Sequence, residues 1–122
     1  MKGKEGEDIA ARFLTSRGYR IVERNYRTPL GEIDLIAHDG DVLVFVEVKS
    51  RSDSRFGSPQ SAVDLRKQSK LTRVALTYLS RMKRDPKACR FDVVSIVGGS
   101  VGAFTIEHFT NAFEELEAGK RC

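Results

Sequence analysis

The chain has no apolar run near the roughly 18 residues that a membrane-spanning helix needs. Its first residues, Met1 to Ile9, carry charge where a secretory signal would be apolar. It is therefore expected in the cytoplasm, with no membrane partner. Cysteine is scarce. Cys89 and Cys122 lack C-x-x-C spacing, and the second is the last residue, where a structural disulfide has little to clamp, so both are expected as reduced thiols. The two histidines, His38 and His108, stand apart from any cysteine cluster, which disfavours zinc, and both are expected at the surface. No internal repeat, low-complexity tract or linker interrupts the sequence.

What is present suits a globular protein: 40% hydrophobic and 31% charged residues argue against disorder. A chain of 122 residues can fill one core and not two, so residues 1–122 are expected as a single domain. The net charge of +4 is compatible with a polyanionic partner but too common to identify one.

Periodicity supplies the elements. Ile9, Ala10, Phe13 and Leu14 follow helical spacing between Lys4 and Arg17, and Gly18 ends that helix. Tyr19 to Arg27 reads as an exposed strand stopped by Thr28-Pro29-Leu30-Gly31. Glu32 to His38 and Val42 to Ser50 form a hairpin about Asp39-Gly40. A polar loop, Arg51 to Ser58, leads through Ser58-Pro59 into a second helix striped by Leu71, Val74, Ala75, Tyr78, Leu79 and Met82. Phe91 to Val97 and Phe104 to Phe109 are further strands around Gly98-Gly99-Ser100, and Asn111 to Glu117 is expected as a short final helix. The fold class is thus α/β, a mixed sheet of about five strands flanked by helices in the order αβββαββ.

With Asp39 and Gly40 as the hairpin loop, His38 pairs with Asp41, Asp34 with Phe45, and Glu32 with Glu47. Ile33, Leu35, Ala37, Val42, Val44, Val46 and Val48 then share one apolar face. The other face carries Ile36, Leu43 and Phe45 near the turn and Glu32, Asp34, Glu47 and Lys49 at the open end. Three carboxylates so close repel one another unless protons, lysines or a metal ion intervene. An edge patch neutralised by Lys49 and water is the plain alternative, but the apolar stretch around Glu47 places these charges where burial is costly. The chemistry that wants them is metal-assisted phosphodiester hydrolysis, with carboxylates on Mg²⁺ or Mn²⁺ and Lys49 acting on water or phosphate.

Asp34 followed by Glu47-x-Lys49 across a hairpin resembles the metal site of the PD-(D/E)XK, or restriction-endonuclease-like, nuclease superfamily. Ile33 stands where that superfamily often has proline. More closely, Gly31-Glu32-Ile33-Asp34-Leu35-Ile36-Ala37, Phe45-Val46-Glu47-Val48-Lys49-Ser50-Arg51, Asn25-Tyr26-Arg27 and Arg90-Phe91-Asp92-Val93-Val94 resemble the bacterial YraN family of small nuclease-like proteins. The same core is similar to archaeal Holliday-junction resolvases, whose first-helix glutamate corresponds to Glu7. This resemblance implies Asp34, Glu47 and Glu7 as metal ligands and Lys49 as a catalytic group. For Glu7, a first-turn acid favoured by the helix dipole is an equal alternative.

Lys67 and Gln68 precede Leu71 by four and three residues and so continue its stripe toward the metal end of the sheet, where the superfamily resemblance implies residues that flank the site. Together with Arg66 and Lys70 on the second helix and Arg51 and Arg55 in the loop they form an expected nucleic-acid surface, although a solvated helix face explains the helical residues as well. Asp92 is expected to be structural. The implied function is binding, with cleavage, of structured or branched DNA. A module of this fold without turnover, or a recruitment protein for repair or recombination, are the rivals. A four-way junction would suit a C₂ homodimer, with Phe109 and Phe113 either at its interface or closing the core.

Overall fold

A computed structural model describes residues 3–51, 63–84, 86–100 and 103–113. Helix α1 (Gly3–Ser16) precedes strands β1 (Arg20–Thr28), β2 (Gly31–Asp39) and β3 (Val42–Arg51). Helix α2 (Leu65–Ser80) then crosses to β4 (Ala88–Ser100) and β5 (Ala103–Phe113). One sheet holds the strands in the order β1-β2-β3-β4-β5, parallel at β3–β4 and antiparallel elsewhere. This is the expected restriction-endonuclease-like α/β order.

The two faces of the sheet explain the helices. Ala10 and Leu14 of α1 pack on Leu35, Ala37, Val44, Val46, Val94 and Ile96. Leu71, Val74, Ala75 and Leu79 of α2 pack on Ile36, Leu43, Phe45, Phe91 and Val93. The 3.6-residue stripe and the two-residue alternation thus meet face to face, and burying apolar surface on both sides of the sheet is the main favourable term. Among the described residues no helix is long and apolar enough to cross a membrane.

The hairpin loop is Gly40-Asp41, one residue later than expected, because Asp39 still pairs with Val42 and Gly40 takes φ 60° at the first central position. Phe45 therefore pairs with Ile36 and not with Asp34. Helix α2 begins at Asp64, whose Oδ1 accepts the Lys67 N–H at 2.9 Å, an N-cap typically worth about 1 kcal/mol. The expected Ser58-Pro59 start lies outside the described residues. Strand β4 runs through Gly98 to Ser100, where a turn was expected. Asn111, Ala112 and Phe113 belong to β5 and not to a helix, and residues 114–117 of that expected helix lie outside the described residues. Phe109 and Phe113 both pack against the α2-side core. Cys89 is disulfide-bonded and not a reduced thiol, since chain position says nothing about where a residue lies in space. Cys122 lies outside the described residues.

One local break positions the site. Asn25, across from Asp34 between the pairs Arg24↔Leu35 and Tyr26↔Ile33, has φ 53°, a left-handed conformation that asparagine tolerates. Side-chain alternation resets there. Ile33 enters the α2-side core, with Tyr26 packed against it, instead of joining the Leu35 face as expected. Glu32 is correspondingly turned toward α1.

Candidate active site

The pairing of β2 with β3 stops at Leu35↔Val46. Beyond it the two strands part, and Asp34 Oδ2 accepts the Val48 N–H at 2.8 Å, doing the work of a missing backbone partner. A carboxylate is thereby wedged into the fork of the sheet. Glu7 from α1 and Glu32 from β2 converge on it, and one ligand oxygen from each of Glu7, Glu32 and Asp34 lies within 4.8 Å of the others. The expected Glu32–Glu47 pair does not form. Glu32 instead accepts a hydrogen bond from Arg27 Nε at 2.6 Å. Arg27 escaped sequence reasoning, although the turn at residues 28–31 already implied that it faces Glu32.

Glu47 lies on the other side of Asp34, 6% exposed on β3. It is ion-paired with Lys67 of α2, and Lys49 Nζ is 3.6 Å from its Oε2. The site therefore joins residues of both helices through the opening between β2 and β3. Burial, followed by a hydrogen bond shared with Glu47 and the charges of Glu47 and Glu7, pushes the Asp34 carboxyl up to about 8. The Val48 N–H opposes that rise. Burial and the neighbouring Lys67 ammonium lower the Lys49 pKa, with Glu47 opposing. Lys67 is held above its ordinary value: burial works against its charge, but Glu47 outweighs it.

The remaining predicted residues are scattered. Gln68 Nε2 donates to the Val63 carbonyl at 2.8 Å and so closes the start of α2. Arg66 and Lys70 are exposed on α2, Arg51 is half-buried at the end of β3, and Arg55 lies outside the described residues. Asp92 is fully buried on the opposite face of the sheet from Glu47. His108, expected at the surface, donates to or accepts from Asp92 at 2.8 Å with its side chain 8% exposed, because the edges of Phe13 and Tyr19 cover it.

The raised Asp34 pKa has a signed consequence for the metal-free protein. An acid whose folded pKa lies above its unfolded value contributes stability that is fully present below the unfolded value, 3.8, and is lost as pH rises toward about 8. Asp34→Asn keeps an acceptor for Val48 and a donor for Glu47 without the charge. In EDTA it should match the wild type near pH 4 and exceed it by on the order of 1–3 kcal/mol at pH 8. Urea unfolding across that range checks this, and parallel curves would count against the buried-acid assignment.

Among the described residues, two helices on a five-stranded mixed sheet, with carboxylates at its β2–β3 fork, define an α/β protein of the restriction-endonuclease-like class. The chain belongs to the uncharacterised protein family UPF0102, the YraN-like family of nuclease-like proteins, which it matches over residues 6–96. It is 52% identical over 111 residues to the UPF0102 protein STH1475 of Symbiobacterium thermophilum, covering 91% of this chain and 94% of that one. The UPF0102 protein THEYE_A1950 of Thermodesulfovibrio yellowstonii is 47% identical over 111 residues, with the same coverage of 91% and 94%. A UPF0102 protein of Chlorobaculum parvum is 43% identical over 122 residues, covering 96% of this chain and 95% of that one.

Proposed function

We propose that this protein is a Mg²⁺- or Mn²⁺-dependent phosphodiesterase acting on structured or branched DNA. The observation that carries the reading is the convergence of Glu7, Glu32 and Asp34 oxygens within 4.8 Å. An all-carboxylate set suits a hard divalent cation that prefers oxygen ligands. Asp34 and Glu7 would hold it, with Glu47 joining them as the positive charge of Lys67 is exchanged for that of the ion. A bound cation supplies Lewis-acid polarisation of a phosphate oxygen and lowers the pKa of water. Lys49, beside Glu47 and partly exposed, would orient or deprotonate that water, or meet the charge that develops on phosphate. A four-way junction would call for two such sites, most economically in a C₂ homodimer.

The test pairs Mn²⁺ titration with cleavage assays on four-way, flapped and linear DNA. Wild type should bind Mn²⁺ and cut at least one branched substrate, and Asp34→Ala and Glu47→Ala should each abolish both. Mn²⁺ affinity unchanged in both variants would overturn the metal assignment. Binding of DNA and metal without cleavage would favour a module without turnover, and absence of DNA binding would favour a recruitment protein.

A further inference from the structure

The end of the sheet remote from the carboxylates holds a cleft of about 530 Å³. Its walls include Arg20 at the start of β1, His38 near the end of β2, Asp41 in the hairpin loop, and Met82, Arg84 and Lys87 between α2 and β4. Arg20, Arg84 and Lys87 are exposed, and none has an ion pair among the described residues. Other cations are committed internally: Arg24 to Asp8, Arg27 to Glu32, Lys67 to Glu47, and Arg90 to Asp39 and Asp92. Among the described residues that line the cleft, Asp41 is the one carboxylate.

Three cations from two distant chain segments, set against one described carboxylate on the same concave surface, repel one another and focus a positive potential outward. The negative end of the α2 dipole does not account for them. That effect fades within the last turn, and Arg84 and Lys87 lie three and six residues beyond the C-cap at Arg81. Arg81 and Lys83, also exposed in this connection, extend the same field.

We infer that this cleft is a second nucleic-acid contact, in which Arg20, Arg84 and Lys87 take phosphates of the backbone at a distance from the carboxylate fork. The inference rests on the nucleic-acid reading above and deepens it. Val42 to Glu47 spans five residue steps of β3, roughly 17 Å at strand rise. A single strand of B-form duplex covers that distance in about five phosphates. The cleft therefore engages the arm of a substrate several nucleotides from the scissile bond.

The experiment compares wild type, the triple variant Arg20→Ala/Arg84→Ala/Lys87→Ala, its charge-keeping counterpart Arg20→Lys/Arg84→Lys/Lys87→Arg, and a control, Lys4→Ala/Arg12→Ala/Arg17→Ala, of equal net charge to the first. Fluorescence anisotropy on labelled branched and linear DNA is read from 50 to 200 mM salt. The cleft variant should bind about 10- to 100-fold more weakly at 0.1 M salt, with its log–log salt slope reduced by about 2 to 3, as expected for three lost phosphate contacts. The charge-keeping variant should restore most of both. Equal losses in the α1 control would reduce the effect to net charge and overturn the inference. Inorganic phosphate occupying the cleft while the triple variant binds DNA normally would assign it to a small anion and overturn it too. If the wild type binds DNA and the triple variant binds it unchanged, this inference alone fails. If the wild type binds no nucleic acid, the functional reading itself has failed.

Discussion

Asp92→Ala is expected to cost about 3–5 kcal/mol of folding stability, the usual penalty for leaving buried charged partners unmatched. Asp92 is 0% exposed and sits where the β4–β5 register jumps, between the pairs Phe91↔Phe113 and Val93↔Phe109. Its Oδ1 accepts the Asn111 N–H at 2.9 Å and Arg90 Nε at 3.0 Å, and its Oδ2 meets His108 Nε2 at 2.8 Å. Asn111 has φ 52°, so the carboxylate also clamps a residue in a conformation that backbone sterics disfavour. Arg90 extends the network to the Tyr19 hydroxyl at 2.5 Å and to Asp39 at 3.2 Å, tying β4 to the residue just before β1 and to the end of β2. Against a domain stability of about 5–15 kcal/mol, removing this centre should abolish much of the folded population at 37 °C.

Charge can be separated from shape. Burial opposes ionisation of Asp92, but His108, Arg90 and the Asn111 N–H outweigh it and hold the carboxyl below the ordinary aspartate range. Stability from a depressed acid is present above its unfolded value, 3.8, and is lost as pH falls through the lower folded value. Asp92→Asn keeps an acceptor for Asn111 but not the charge, so its deficit should be full at pH 6 and shrink as pH drops below about 4. Denaturant unfolding of both variants from pH 3 to 7 measures this, and a pH-independent deficit would show that the charge contributes nothing.

Periodicity made much of the fold legible. The Val42–Val48 alternation and the Leu71–Leu79 stripe each select one face, and both are buried as their spacing dictates. Local backbone geometry was not legible. A hairpin whose first central residue is Gly40 differs from one centred on Asp39-Gly40 by a single step, yet that step changes every cross-strand partner while preserving parity. Asn25 shows how a left-handed residue on one strand re-aims side chains on its neighbour: Ile33 and Glu32 exchange faces for a reason that lies across the ladder, not in their own segment. Asp92 depends on His108, Tyr19 and Asp39, which no spacing rule joins to it. The segments around Asp34 and Glu47 were readable because charge embedded in apolar strand sequence is costly unless something offsets it. The stripe position of Lys67 already pointed it toward this end of the sheet, but its pairing with Glu47, and that of Val48 with Asp34, required the fold.

Lys49→Ala is expected to leave Mn²⁺ affinity nearly unchanged while cleavage falls about 10²–10⁴-fold, the range for loss of a proton-transfer group. The two lysines on Glu47 have different geometry, and that separates their roles. Lys67 reaches Glu47 from α2 and is its closer partner, whereas Lys49 Nζ stands off at 3.6 Å on the same strand with its side chain 26% exposed. Burial and the adjacent Lys67 lower the pKa of Lys49, which makes proton release easier than for a solvated lysine. Lys67→Ala should therefore act on the ion and not on the proton: freed of its internal cation, Glu47 should bind Mn²⁺ more tightly. Lys49→Arg keeps positive charge but cannot deprotonate near neutral pH. If Lys49 transfers the proton, arginine should be nearly as inactive as alanine; if it stabilises charge on phosphate, arginine should restore a substantial part of the rate. Parallel loss of metal affinity and cleavage in Lys49→Ala would assign the residue to holding Glu47 in place and remove it from the chemical step.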